Sequence, residues 1–286
     1  MQKRLQSQLK NTQEIREVLC QIPINFKLGT GEQVETLLIY LPSKNGACSH
    51  TELFDVIKNS IMTNFVFSCS EVEKKLSIKS DKAPEELFKK AIRKMSKHTA
   101  QGELGELILF TLLDVYLDAP KILSKISFKT NPRMPVFGAD AVHAQYVDGK
   151  LRLYLGESKL HQSFKSAATK AVESISNALE KYSDEFDLID SHIDFPDIDS
   201  DASNQLIAHL NPFSDANPDM NNMLHSPCFI GFKDPDIFSD DPETYQKQYI
   251  ELAKEYVGDF YDKLAGKDND IAKTALLLLP FSCIES

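Results

Sequence analysis

The chain has 286 residues, 42% hydrophobic and 26% charged, which is the composition of an ordinary soluble globular protein. No stretch approaches the roughly 18 consecutive apolar residues that a membrane span needs. The polar N-terminus also lacks the apolar segment of a secretory signal. The five cysteines are scattered and form no CxxC pair, which argues against a disulfide framework or a cysteine-based zinc cluster. We therefore expect a cytoplasmic protein that makes no membrane contact.

The net charge of −10 is unevenly distributed along the chain. Residues 182–232 contain ten acidic residues and no Lys or Arg, whereas residues 1–181 carry a net charge of +6. A basic front part is suited to face phosphates, and an acidic rear part repels them. We expect the acidic part to dock a basic partner or to shield the basic face.

In chain order, the first 80 residues mix short apolar runs with turn residues and predict a small α/β region, which we treat as a candidate for partner docking. Residues 81–286 form the main predicted domain, with an acidic insertion at about 183–226. Its first helix presents basic residues at spacings of three and four, which place them in one stripe. Such a stripe is either a solvated face or a DNA-binding face. The stripe consists of Lys89, Lys90, Arg93, Lys94 and Lys97.

The next predicted helix, residues 99–117, has an apolar face formed by every third or fourth residue. Glu103 and Glu106 stand one turn apart beside that face, and either is a candidate acid for the functional site. Gly102 and Gly105 each cost about 1 kcal/mol relative to alanine in a helix. This cost indicates that the helix closely approaches a sheet or a nucleic acid.

A predicted β-hairpin follows. Residues 151–159 have strand periodicity, so Glu157 and Lys159 point to the same side. Asp148-Gly149 is typical of a two-residue hairpin turn. Such a turn places Asp140 directly opposite Glu157, with the Cβ atoms about 4.5–5.5 Å apart. A β-bulge would change this register.

Two carboxylates held this close repel each other unless a cation lies between them. Mg²⁺ prefers hard oxygen ligands, and Mn²⁺ is an alternative for the same site. Lys159 is then placed to hold an attacking water and to neutralise charge on a phosphate. We predict that Asp140 and Glu157 bind the metal, that Glu106 completes its ligand shell, and that all four residues contribute to phosphodiester hydrolysis.

Other motifs give weaker indications. His98, His143 and His161 lack a mutual metal-ligand spacing. By strand parity His143 faces away from Asp140, which predicts a packing role, and His161 is more typical of a surface residue than of a phosphate ligand. The sequence has no P-loop and no dinucleotide-binding fingerprint, so we expect no nucleotide motor of its own.

The segments Gln101-Gly-Glu-Leu-Gly-Glu106, Phe137-Gly-Ala-Asp140 and Gly156-Glu-Ser-Lys159 together resemble the HamA family. HamA proteins are the effector subunits of the bacterial Hachiman anti-phage defence system, and the similarity covers about residues 95–180. The resemblance implies a PD-(D/E)xK restriction-endonuclease-like core, which is a mixed central sheet flanked by helices, here with an N-terminal α/β extension. Ala139 stands where the proline that names this fold would be.

The same resemblance implies functional residues and partners. The matched catalytic positions are Asp140, Glu157 and Lys159, with Glu106 as the helical acid. The implied substrate is DNA, and the implied partner is HamB, a superfamily 2 DNA helicase. The resulting prediction is a metal-dependent DNA nuclease that its helicase releases or activates. Two alternatives stay open: a catalytically silent nuclease-fold subunit that binds DNA or the helicase, and an acidic interaction protein in which the motif is coincidental.

Overall fold

The computed structural model describes residues 7–77, 83–95, 100–123, 126, 138–147, 150–180 and 220–284. Three predicted features lie wholly or largely outside these residues. They are Lys97 of the basic stripe, the Asp148-Gly149 turn, and most of the acidic insertion.

The sequence predicts strands from the apolar runs at 227–232 and 274–281, and both are confirmed within one residue at either end. In chain order the strands are β1 (Cys20–Ile22), β2 (Phe26–Lys27), β3 (Gln33–Tyr40), β4 (Ser43–Lys44), β5 (Ala47–Cys48), β6 (Lys121–Leu123), β7 (Ala141–Val147), β8 (Lys150–His161), β9 (Leu224–His225), β10 (Cys228–Lys233) and β11 (Ala275–Phe281).

The sequence predicts helices at 99–117 and at about 163–182 on either side of the hairpin, and their described parts agree with these bounds within two residues. None of the helices in the described ranges is long and apolar enough to cross a membrane. The helices are α1 (Thr12–Val18), α2 (His50–Val56), a π-helical segment (Ile57–Ile61), α3 (Met62–Val66), α4 (Cys69–Leu76), α5 (Ala83–Lys94), α6 (Ala100–Tyr116), α7 (Phe164–Glu180), α8 (Met220–Met223) and α9 (Pro242–Ala265), with 3-10 turns at Pro235–Ile237 and Ile271–Lys273.

A mixed sheet forms the centre of the fold, in the order β1-β3-β11-β10-β8-β7-β6. Strands β3, β11, β10 and β8 run parallel to one another, whereas β7 is antiparallel to β8 and β1 is antiparallel to β3. Every residue of β11 is buried, as expected for a parallel strand that is covered on both faces. The fold is therefore mixed α/β, with a central mixed sheet between helices.

Two hydrophobic cores cover the two faces of this sheet. The first core joins α6 and the N-terminal helices to one face, where Phe229, Leu277 and Leu279 are buried. The second joins α7 and α9 to the opposite face, where Cys228 and Ile230 are buried. Neighbouring residues of one strand thus enter different cores, because side chains alternate along a strand.

The N-terminal α/β region contributes to the same sheet. Strand β3 pairs in parallel with β11, and β1 pairs with β3 from the outer side. The boundary near residue 80 stays a prediction about folding units, since the sheet itself runs across it.

Candidate active site

The hairpin of β7 and β8 has the predicted register. Val147 pairs with Lys150, and the regular pairing continues to Ala141 and Gly156. Asp140 lies one residue beyond the last pair, and its backbone N–H donates to the Gly156 carbonyl at 2.9 Å. The ladder therefore ends at Ala141, and Asp140 stands at the start of β7 rather than inside the sheet.

Glu157 and Lys159 lie on the same face of β8, as the strand periodicity predicts. Their parallel partners on β10 are Cys228 and Ile230, which belong to the core beneath α7 and α9. The Lys159 Nζ atom donates to Glu157 Oε1. Glu157 is only 7% exposed, whereas the Lys159 side chain keeps 26% of its surface in solvent. The pair therefore consists of a buried acid and a partly exposed lysine.

Asp140 interacts electrostatically with both Glu157 and Lys159. Burial raises the pKa of Glu157 to about 7, and the neighbouring Asp140 charge contributes to the same shift. Lys159 and the Ser174 hydroxyl on α7 oppose the shift. Burial acts to lower the pKa of Lys159, but the charges of Glu157 and Asp140 outweigh it and raise that pKa. Lys159 is thus held in its protonated form beside two acids.

The Asp140 carboxylate has well-defined partners on β8. Its Oδ2 atom accepts from the backbone N–H of Ser158 at 2.8 Å and from the Ser158 hydroxyl at 2.9 Å. The side chain therefore continues the hydrogen bonding of the hairpin at the point where the backbone ladder stops.

The two acids on α6 occupy different environments. Glu103 is 1% exposed, whereas Glu106 is half-buried. Glu106 lines a small cavity together with Asp140, Lys121 and His143. Glu106 therefore approaches Asp140 from the α6 face of the sheet, and Glu157 and Lys159 do not line this cavity. Within the described ranges, no group of three or more His, Cys, Asp or Glu side chains is arranged to hold a metal ion.

Gly105 accounts for the close approach of α6 to the sheet. A Cβ atom at this position would lie 3.3 Å from the Ser158 hydroxyl oxygen and 3.7 Å from the Cβ of Leu160. Gly102 has nothing within 4 Å of the equivalent position. The predicted close contact is therefore made through one of the two glycines, and its target is the strand that carries Glu157 and Lys159.

His143 has the predicted packing role, but the prediction that it faces away from Asp140 is wrong, because both residues line the same small cavity where β7 begins. His143 is 1% exposed, its Nδ1 atom lies 2.6 Å from the Ala119 carbonyl oxygen, and its ring contacts Phe110. Burial lowers the pKa of His143 to about 3. His161 is half-buried at the end of β8 and accepts from the Ser163 N–H at 3.2 Å. His98 lies outside the described residues.

The basic stripe on α5 is only partly available to a ligand. Lys89 is paired with Glu85 at 2.7 Å and with Glu86 at 3.6 Å. Lys94 is half-buried, with its Nζ atom 5.8 Å from the centre of the Phe67 ring. Lys90 and Arg93 are exposed.

Three contributors to the site had no sequence signal of their own. Ser158 is the unspecified residue between Glu157 and Lys159, and Ser174 is an ordinary helical serine. Lys121 is 4% exposed and donates to the carbonyls of Asn64, Phe65 and Phe67. A lone lysine at the start of a short strand gives no indication that it is buried.

Comparison with known proteins gives one clear match. The HamA family profile matches residues 15–286, which is nearly the whole chain. Among curated proteins, none matches. The matched span includes Glu106, Asp140, Glu157 and Lys159, so the match extends the resemblance seen in the central segments to almost the full length. The chain therefore belongs to the HamA family, whose membership implies a component of Hachiman anti-phage defence.

Proposed function

We propose that this protein is the metal-dependent DNA nuclease of a Hachiman complex, and that its partner helicase releases or activates it. The observation that carries the proposal is the meeting of Asp140, Glu157 and Lys159 at one end of the β7–β8 hairpin. Asp140 raises the pKa of Glu157, and Lys159 is ion-paired with that same glutamate. Two acids and a lysine brought together in this way are a set that can support metal-dependent phosphodiester hydrolysis.

The two acids fit a divalent cation. Both donate hard carboxylate oxygens, and Mg²⁺ is commonly bound by one or two carboxylates with water and substrate phosphate completing its shell. Glu157 is buried beside the negative charge of Asp140, and this arrangement makes its ionised form costly in the absence of a cation. Asp140 and Glu157 would hold the ion, and Mn²⁺ would suit the same ligands.

When bound, the cation supplies Lewis-acid polarisation of the phosphate and lowers the pKa of a water. Lys159 has the charge and the partial exposure to orient the attacking water and to neutralise charge that develops on the phosphate. Ser174 supports Glu157 from α7. Glu106 is the helical acid best placed to contribute, because it shares a cavity with Asp140.

We further propose that DNA is the substrate and that the exposed side of α5 assists its binding. Lys90 and Arg93 belong to the predicted stripe and are exposed to solvent in the described part of α5. Lys89 contributes less, because Glu85 and Glu86 already neutralise it. The proposed helicase partner is the one that the HamA resemblance implies, and it would supply the ATP-driven step for which this sequence carries no P-loop.

Cleavage of supercoiled plasmid tests the proposal. The full chain is assayed with Mg²⁺ in the presence of its helicase, beside Glu157→Ala and Lys159→Ala. We expect conversion to nicked or linear DNA by the wild-type protein and a loss of at least about 100-fold in either variant, because Glu157→Ala removes a metal ligand and Lys159→Ala removes the cation that neutralises the developing charge. Lys165→Ala is a matched control, since Lys165 is 66% exposed and pairs with Glu255 at 3.2 Å.

A catalytically silent nuclease-fold subunit is the second candidate. It is favoured by the pairing of Lys159 with Glu157, which occupies both groups, and by the location of Glu106 on the opposite face of the sheet from them. If wild-type protein and both variants leave the plasmid intact under every activating condition, while helicase binding persists, the silent role replaces the nuclease.

A further inference from the structure

Ser158 makes two hydrogen bonds to one oxygen of Asp140. Its backbone N–H donates at 2.8 Å and its hydroxyl at 2.9 Å, both to Oδ2. A carboxylate oxygen that accepts two donors is fixed in direction, and the second oxygen, Oδ1, is thereby aimed by the same contacts. The residue that stands between Glu157 and Lys159 therefore helps to set the orientation of Asp140.

The Ser158 side chain is itself held in place. It is 7% exposed and points to the α6 side of the sheet, where the missing side chain of Gly105 leaves room for it. A Cβ atom on Gly105 would lie 3.3 Å from the Ser158 hydroxyl oxygen, which is tighter than an ordinary contact. The hydroxyl has little freedom to turn away from Asp140.

We propose that Ser158 is a positioning residue that orients Asp140 for the divalent cation, and that Gly105 on α6 keeps it in place. This inference rests on the proposed metal-dependent function. The backbone N–H bond to Asp140 survives any side-chain replacement, so loss of the hydroxyl weakens the orientation without abolishing it. Partners of this kind, which touch a metal ligand but not the metal, typically change metal affinity by about 10–100-fold.

The contact also provides a physical connection, through Asp140, between α6 and Glu157 on the other face of the sheet. Gly105 touches Ser158, Ser158 bonds to Asp140, and the charge of Asp140 reaches Glu157. A displacement of α6 would move the Ser158 hydroxyl and reorient Asp140.

Binding of Mn²⁺ to the full chain, measured by titration calorimetry without DNA, tests the inference. We expect Ser158→Ala to weaken Mn²⁺ binding about 10-fold, because one of the two donors to Asp140 is lost. Gly105→Ala should weaken it in the same direction, since the new methyl group displaces the hydroxyl.

Two controls separate orientation from general damage. Gly102→Ala places the same methyl group one turn earlier on α6, where nothing lies within 4 Å, and should leave Mn²⁺ affinity within about twofold. Thr111→Val removes a buried hydroxyl on the same helix that donates to the Leu107 carbonyl at 2.8 Å, so stability changes while affinity does not. Thermal unfolding of each variant confirms that the protein remains folded.

The outcomes are distinct. Equal Mn²⁺ affinity in wild type and Ser158→Ala would overturn the positioning role and leave the proposed nuclease intact. Wild-type protein that binds Mn²⁺ no better than Asp140→Ala would overturn both. Weaker binding in Thr111→Val to the same extent as in Ser158→Ala would show that any disturbance of α6 is sufficient, and would also contradict the inference.

Discussion

The positions of the site residues depend on the alternation of side chains along β8 and on the residue at which β7 begins. Parity alone predicts that Glu157 and Lys159 share a face, and the structure pairs them. The turn at residues 148–149 predicts the register, and the pairing of Val147 with Lys150 confirms it. Sequence periodicity does not reveal where β7 begins. Because the ladder stops at Ala141, the Asp140 carboxylate takes over as acceptor for Ser158, and this contact was not predictable from spacing.

His143 illustrates how a buried group couples stability to pH. Burial, aided by the Lys121 charge, lowers the pKa of His143 to about 3, whereas an exposed histidine titrates near 6.5. The folded state therefore binds this proton more weakly than the unfolded state. The contribution of neutral His143 to the free energy of unfolding is complete above about pH 6.5 and is lost progressively as the pH falls toward 3.

We expect the free energy of unfolding to fall by about 2 kcal/mol from this residue alone between pH 7 and pH 5. In His143→Gln that contribution is absent, so the variant should lose about 2 kcal/mol less than wild type over the same range. Urea unfolding at several pH values measures the difference. Parallel pH profiles for the two proteins would show that His143 does not titrate as the structure implies.

At the scale of elements, α6 departs from the predicted amphipathic pattern. The sequence predicted one apolar face, but nearly every residue from 107 to 115 is buried. The sheet covers one side, and the N-terminal helices cover the other, with Phe65 of α3 packed 5.7 Å from Phe110 between ring centres. Periodicity detects burial on one face only, so a helix enclosed on all sides needs tertiary information.

Two glycines in regular elements should respond oppositely to alanine. A Cβ atom on Gly231 in β10 would lie 2.5 Å from Leu160 Cδ1 and 3.0 Å from the Phe281 ring, and the ring has little room to move. We expect Gly231→Ala to destabilise the protein by about 1–3 kcal/mol through overpacking. Gly258 in α9 has open space, so Gly258→Ala should stabilise it by about 0.5–1 kcal/mol.

Chemical denaturation of both variants and of wild type tests whether the free energy of unfolding falls in Gly231→Ala and rises in Gly258→Ala. A Gly231→Ala protein as stable as wild type would mean that the centre of the sheet is packed less tightly than the contacts with Leu160 and Phe281 indicate.

At the scale of the whole molecule, the N-terminal region completes the sheet. Leu38 of β3 is fully buried and pairs with Leu278 of β11. Strand β11 is followed in the sheet by β10 and then by β8, which carries Glu157 and Lys159. The sequence predicted an α/β unit in residues 1–80 but contained no signal that its longest strand joins the final strand of the chain. Pairings between segments this far apart leave no local pattern.

A fragment of residues 81–286 tests whether the rest of the sheet needs the N-terminal strands to fold. Removing β1 to β3 exposes the edge of β11 and three consecutive buried leucines, Leu276 to Leu278. We expect the fragment to lose cooperative unfolding and to aggregate. A fragment that unfolds in one sharp urea transition, monitored by circular dichroism, would instead support an independent domain that begins near residue 81.

We infer that Asp140 and Glu157 together hold a divalent cation beside Lys159. A crystal structure of the full chain with Mn²⁺, in which anomalous scattering locates the ion, tests this inference. We predict an anomalous peak within about 2.0–2.3 Å of oxygens from both carboxylates, with Lys159 Nζ turned from Glu157 toward the ion-bound water or phosphate. The absence of a peak between these carboxylates at saturating Mn²⁺, with Lys159 still paired to Glu157, would contradict it.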